Sequence, residues 1–389
     1  MLLLLTIFHG FAGAPAADST WMSQPAVGAA AITAILTVAG IILKDFLLKT
    51  VEERRSERRK RIAIYERYSN PLVTSVISLL LRLHEILYTK RRAAYLVGRG
   101  IKPGPGPGDG FRAYKKTSTV YRLAAVLGWI RACRREFSFL RVAEPGDTKK
   151  VDEAIGAFEN ALADGSWVEQ ERVTRLCELW HLSTTEKLTS IASIAELGTR
   201  VDNIIWDHME SAVADNVLSL NEPSQQDLCK SIANCIADHL ATNHVTDLSM
   251  QHTWPDALNI IGMREAWVYR DWQSAIGDLM IQPSPGDARM YEVIGYGDFE
   301  QILFAGNEQQ KLALARMCEI FDDLDLSIED RFDSRPRQLR AIAQASAELI
   351  LAIHKIQGRQ SIIGRKAVTV AEDVIRRSTA LCKNSPFFR

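Results

Sequence analysis

The feature that most constrains this chain is a stretch without charge: from Ser19 to Leu43 there is no Asp, Glu, Lys or Arg. Within it, Val27–Leu43 is apolar except for Thr33 and Thr37. Seventeen helical residues rise about 26 Å, just short of a hydrocarbon core about 30 Å thick. Lys44 can snorkel outward, and Phe46, Leu47 and Leu48 extend the run by a turn. The expectation is one transmembrane helix over 25–48.

Charge orients it. Lys44, Lys49, Arg54, Arg55, Arg58, Arg59, Lys60 and Arg61 follow the span, and no Lys or Arg precedes it. Such a bias places the C-terminal side in the cytoplasm. These eight cations are also the expected contact with anionic lipid headgroups, at about 1 kcal/mol each close to the surface. The segment MLLLLTIFHGFAGAPAADS has the apolar core of a signal peptide but lacks its basic start. Cleaved or retained, residues 1–24 are extracytoplasmic and the rest of the chain stays on the same side. Ala26, Ala30 and Ala34 recur every four residues, the small-residue spacing that lets two spans pack closely, so a homo-oligomer is expected.

A formal net charge of zero hides a polarity. Lys44–Arg141 carries 23 Lys/Arg against 8 Asp/Glu, and Val142–Arg389 carries 24 against 38. The basic third can face lipid, or pair with the acidic remainder or with another copy. Nucleic acid is not expected as a partner, because no reading motif or aromatic-rich basic sheet accompanies the charge. A hydrophobic fraction of 47% with 24% charged residues is that of a globular chain, which excludes disorder and a polytopic membrane protein. The six cysteines (Cys133, Cys177, Cys229, Cys235, Cys318, Cys382) form no CxxC pair and read as reduced, mostly buried thiols.

Past the span, periodicity is helical. A basic stalk over 49–62, VEERRSERRKR at its centre, carries Glu and Arg three and four apart, as on an exposed helix. Leu72, Val76, Leu79, Leu83, Ile86 and Leu87 make a wide stripe, with Pro71 marking a start or a kink. The Pro/Gly run over 100–110 breaks the chain and, lacking GK[ST], is no phosphate loop. Val120 to Leu140 predicts a long helix with Arg131, Arg134 and Arg135 on its other face, and Val151–Leu162 a shorter one stopped by Gly165. Further helices are expected near 201–219, 224–243, 308–325 and 336–357. Ser183 with Glu186, and Thr369 with Glu372, have capping-box spacing. The stretch 281–306 is irregular, a short strand or an ordered loop. The fold class is therefore all-α: a helical hairpin region over 63–165, additional helices over 166–262, and a C-terminal helical region over 263–389.

Tests for chemistry assign no catalytic, cofactor or metal residue. Cys235 and His239 stand four apart, near Cys229, His244 and His252, without zinc spacing. The acidic run Asp322, Asp323, Asp325, Glu329, Asp330 and Asp333 fails as a calcium loop. Positions six and twelve counted from Asp323 are Ile328 and Ser334, so the run reads as a solvated helix end. There is no GxSxG elbow. Tyr269, Arg270, Asp271 and Gln273, beside IGYGDF, either line a pocket or pair with one another.

Three stretches then belong together: IYERYSNPLVTSVISLLLRLHEIL (64–87), VYRLAAVLGWIRACRREFSFL (120–140), and YRDWQSAIGDLMI (269–281) followed by IGYGDFEQIL (294–303). Their order and character resemble a widespread bacterial group of single-span, membrane-anchored helical proteins of unknown function. The resemblance covers about half the chain and leaves 166–262 as extra material. It implies topology and the bacterial inner membrane as location, and no activity. The expectation is a membrane-tethered cytoplasmic interaction protein, scaffold or sensor, with an unknown protein partner. The alternatives are an effector or hydrolytic enzyme with a site near 265–305, and a membrane-perturbing stress or defence effector.

Overall fold

The computed structural model describes residues 67–89, 110–137, 147–182, 191–214, 216–286, 289–326, 333–358 and 361–384, besides Ser56. The chain divides into Met1–Ile64 and Tyr65–Arg389. The expected span, its Ala26, Ala30 and Ala34, the basic stalk with Lys44 to Arg61, and the Pro/Gly run before Gly110 lie outside the described residues.

Helix α1 (Arg67–Thr89) carries the leucine stripe. Its Leu72, Val76, Leu79, Leu83 and Ile86 alternate four and three apart, so they share one face, and all are buried. Among the described residues, α1 meets helices from three later parts of the chain. Against α2 (Gly110–Phe137), Tyr68 meets Trp129 edge to face at 6.5 Å and Arg122 Nε donates to Ser78 Oγ at 2.9 Å. Against α11 (Arg335–Gln357), Gln357 donates to Asn70 at 2.8 Å. Against α12 (Arg365–Asn384), His84 lies 3.5 Å from Asp373. By length and composition α1 could itself cross a membrane, but half of its apolar window is buried inside the fold. Its leucines face the chain's own helices, as in a core helix, where each buried side chain contributes up to about 1.5–3 kcal/mol.

The same core gathers α3 (Asp147–Ala163), α8 (Arg270–Met280), α9 (Tyr296–Ala305) and α10 (Glu308–Glu319). Helices α11 and α3 pack together, as do α2 and α8. The second crossing is close because glycine stands on both sides. A Cβ at Gly128 would meet Met280 Cβ at 2.8 Å, and one at Gly277 would meet Arg131 Cβ at 2.8 Å. Between α8 and α9 lies a two-stranded antiparallel hairpin, β1 (Ile281–Pro283) with β2 (Tyr291–Val293), in which Ile281 pairs with Val293. The stretch 281–306 thus holds the short strand that its sequence allowed, and also α9.

A second core lies within residues 173–261. It is built by α4 (Ser166–Leu179), α5 (Ile191–Ala212), α6 (Glu222–Leu240) and α7 (Asp247–Ile261), through Leu176, Leu197, Val201, Leu228, Ile232, Ile236 and Ile261. Asn221 caps α6, accepting from Ser224 N at 3.0 Å, and Thr246 caps α7. With twelve α-helices and one small hairpin among the described residues, the protein is all-α.

Three boundaries differ from expectation. Thr369 is no cap: α12 already starts at Arg365, and the Thr369 hydroxyl donates back to the Arg365 carbonyl at 3.1 Å. A mid-helix Thr bonding one turn back mimics the capping spacing. The helix expected to reach 219 ends at Ala212, after which Val213 turns left-handed at φ 50° and Asn216 caps a separate 3₁₀ turn over Val217–Ser219. The helix expected over 308–325 ends at Glu319. The Ser183/Glu186 pair falls outside the described residues.

Candidate functional site

The arginines of α2 are engaged by the chain's own acids. Arg131 forks onto Asp278 of α8, with Nη2 2.9 Å from Oδ2, and Arg135, one turn on, reaches the same carboxylate at 2.8 Å. The hydrogen bond from Arg131 to Asp278 raises the guanidinium pKa above its ordinary value. Arg134 donates to Glu159 of α3 at 2.6 Å, and Arg270 joins at 3.4 Å. Glu159 is buried, while both of its guanidinium partners stay open to water on one side. Ionised forks of this kind are short and directional, so they fix how α2, α3 and α8 cross.

The side chains of Arg270 and Gln273 bond outside the group at 269–273, and not with one another as the sequence suggested. Tyr269 is exposed at the start of α8, and Arg270 also donates to Asn160. Gln273 is buried and gives both amide hydrogens to backbone, at Glu159 O (2.9 Å) and Val268 O (2.7 Å). Gln338 on α11 repeats the arrangement with Ala266 O (2.8 Å) and Leu162 O (3.3 Å), while Val268 N donates to Leu162 O at 2.9 Å. These carbonyls lie where 166–262 leaves and rejoins the first core. Buried backbone needs partners, and two glutamines supply them there.

Around this clasp sits a polar and aromatic joint. Trp167 and Trp267 stack edge to face at 5.9 Å, and the Arg337 guanidinium lies 4.0 Å over Trp167 while bonding Glu171. Arg172 bridges Asp202 (3.2 Å) and Glu265, and Trp267 Nε1 donates to Glu265 at 2.7 Å. Burial raises the carboxyl pKa of Asp202, and burial with the neighbouring Asp202 charge raises that of Glu169. Just before α11, Ser334 N and Oγ both donate to Arg264 O, at 2.9 and 2.8 Å. Asp333, read from sequence as part of a solvated acidic end, is fully buried and holds Arg335 at 2.7 Å. Arg335 compensates the buried charge and also donates to the carbonyls of Glu319 and Asp322. A local run of acids gave no sign of that.

Remaining candidates resolve into ordinary contacts. His239 Nε2 lies 2.8 Å from Ser193 Oγ across α6 and α5, a nucleophile and a base within reach. Among the described residues no carboxylate orients the other ring nitrogen, as a triad requires. His244 pairs with Asp238, and among the described residues no three His, Cys, Asp or Glu side chains converge on a metal position. Cys133, Cys177, Cys229, Cys235 and Cys318 are free thiols, and burial pushes the first three up to about 12, 11 and 12. Thiols held that high are protonated and unreactive. The hairpin is bound by tyrosines: Tyr68 Oη accepts from Met290 N at 3.0 Å, and Tyr121 Oη donates to Ile294 O at 3.1 Å.

The arrangement as a whole positions helices. Gln273 was legible as notable in the sequence. Its counterpart Gln338, and the Trp167–Arg337 stack, were not, because their partners lie far along the chain. No family model matches this chain, and no curated protein or solved structure matches it.

Proposed function

We propose that the protein is a membrane-tethered helical interaction module, a scaffold or a sensor, held at the bacterial inner membrane with its bulk in the cytoplasm. The observation that carries this reading is the uncharged stretch Ser19–Leu43 followed by eight Lys/Arg between Lys44 and Arg61. Helix α1, itself long and apolar enough to span, is half buried in the core, which supports assigning the tether to the earlier stretch. On this reading the stalk cations sit against anionic headgroups, and Ala26, Ala30 and Ala34 pack two spans together.

The α2 arginines need no lipid or nucleic acid, since Asp278 and Glu159 take them up. The ionisable clusters among the described residues fix geometry and leave recognition to the surface, which favours binding over catalysis. Alkaline carbonate extraction of membranes from cells making the full chain tests the tether. Retention in the pellet is expected, and release into the supernatant overturns it.

A further inference from the structure

Three carboxylates at the joint share one guanidinium. Arg172, on α4 and more than nine-tenths buried, reaches Asp202 of α5 through Nη1 at 3.2 Å and Glu265 of the connecting segment through Nη2. Its Nε is buried and has no hydrogen-bond partner among the described residues. Glu265 is also committed on its other oxygen, which accepts from Trp267 Nε1 at 2.7 Å. The third carboxylate, Glu169, stands three residues before Arg172, on the same face of α4. It is half-buried against α5, where a Cβ on Gly198 would lie 3.3 Å from its Oε2. Among the described residues Glu169 accepts no hydrogen bond and joins no ion pair.

Glu169 is therefore an acid without a cation of its own, partly withdrawn from water and beside two like charges. Burial, then the Asp202 charge, raises its carboxyl pKa; Arg172 opposes them, and Glu265 adds to them. Helices α6 and α7, which also pack on α4, contribute none of these charges. Arg175 and, from α11, Arg337 both pair with Glu171. The place of Glu169 gives its charge a consequence. Two residues before it, Trp167 stacks on Trp267 and carries the Arg337 guanidinium, while Leu176 further along α4 lies in the second core. The first turn of α4 thus belongs to the joint, and the helix it starts belongs to the second core.

We propose that the joint is a proton-operated latch: as pH falls Glu169 takes up a proton from water, and the first turn of α4 tightens against α5 at Gly198 while Arg172 keeps Asp202 and Glu265. The proposal rests on the reading of the chain as a sensor and names what is sensed; it does not require the tether. The test is hydrogen exchange along the full chain in a neutral detergent, followed from near neutral to mildly acid pH and corrected for intrinsic rates. Protection in α4 and α5 is expected to rise about threefold on acidification. Glu169→Gln, which keeps the shape and removes the charge, should hold the acid level of protection throughout. Asp202→Asn and Glu265→Gln each remove a like charge and should move the midpoint of the rise to lower pH, a displacement that a merely structural carboxylate would not cause. A rise that persists unchanged in Glu169→Gln, or protection that falls on acidification, overturns the latch. Should Glu169→Gln fail to fold, a midpoint unmoved in both of the other variants overturns it equally. Failure of the tether is read separately, by alkaline extraction.

Discussion

The two cores are built on different terms. The first mixes apolar packing with buried polar and charged groups (Glu159, Gln273, Asp333, Arg335 and Gln338), each bonded to a group distant in sequence or to backbone. In the second, buried charge is confined to Glu171 and Arg172 near the start of α4, Arg172 pairing with Asp202 of α5, and from Val173 to Gly262 the buried side chains among the described residues are apolar or cysteine. Buried polar groups admit one geometry and are costly elsewhere, so they specify a frame. The first core therefore carries more of the groups that specify a frame.

The largest way to break this contrast is at the frame. Asp333→Ala leaves Arg335 buried without its partner and should cost about 3–5 kcal/mol in chemical denaturation. Because Asp333 and Ser334 also hold the chain at Arg264, protection from hydrogen exchange should fall in both cores. Ile232→Ala should cost about 2–5 kcal/mol with a narrower footprint, stripping protection from α4–α7 while α1 and α11 keep theirs. Loss in both cores would merge them into one cooperative unit.

Smaller effects sharpen the picture. Gly277→Ala forces a Cβ against Arg131 and the Leu127 carbonyl, and about 1–3 kcal/mol of destabilisation is expected in the first core. Val213→Gly should act the other way, raising the stability of the second core by about 1 kcal/mol as the left-handed strain goes. An unchanged or lowered unfolding midpoint would mean that Val213 is not strained.

The smallest expected effect is one of pH, and its sign differs between regions. Glu169 and Asp202, raised by burial, bind protons more tightly when folded, so their contribution to stability grows as pH falls through their folded-state pKa. Asp373, between α12 and α1, is held low by hydrogen bonds from Arg376, then from Arg377. Its contribution is present above the unfolded carboxyl pKa and lost as pH falls through the folded one. Exchange compared near neutral and mildly acid pH, corrected for intrinsic rates, should show α4 and α5 tightening. Asp202→Asn should reduce that response.

What the sequence disclosed was periodic. The stripes of α1, α2, α3 and α11, long and amphipathic, could be read residue by residue, and so could the all-α class. Helices α4, α7 and α9 could not: each is short, and Pro255 within α7 or Gly297 within α9 obscures the pattern. The charge polarity was visible as two totals, yet its pairing was hidden, since Arg131 and Asp278 stand 147 residues apart. Asp333 misled because acidity in a local run says nothing of a guanidinium folded over it. At the joint, Gln273 attracted notice through its polar neighbours. Gln338, inside an amphipathic helix, gave no local sign of the carbonyls it would meet.

Protease treatment of intact spheroplasts beside inside-out membrane vesicles, each from cells carrying the full chain with a C-terminal epitope, addresses the central claim most directly. An epitope that sediments with both preparations, survives in spheroplasts and is destroyed in the vesicles is expected. An epitope lost from intact spheroplasts, or one absent from sedimented vesicles because the protein stayed in solution, would contradict the claim.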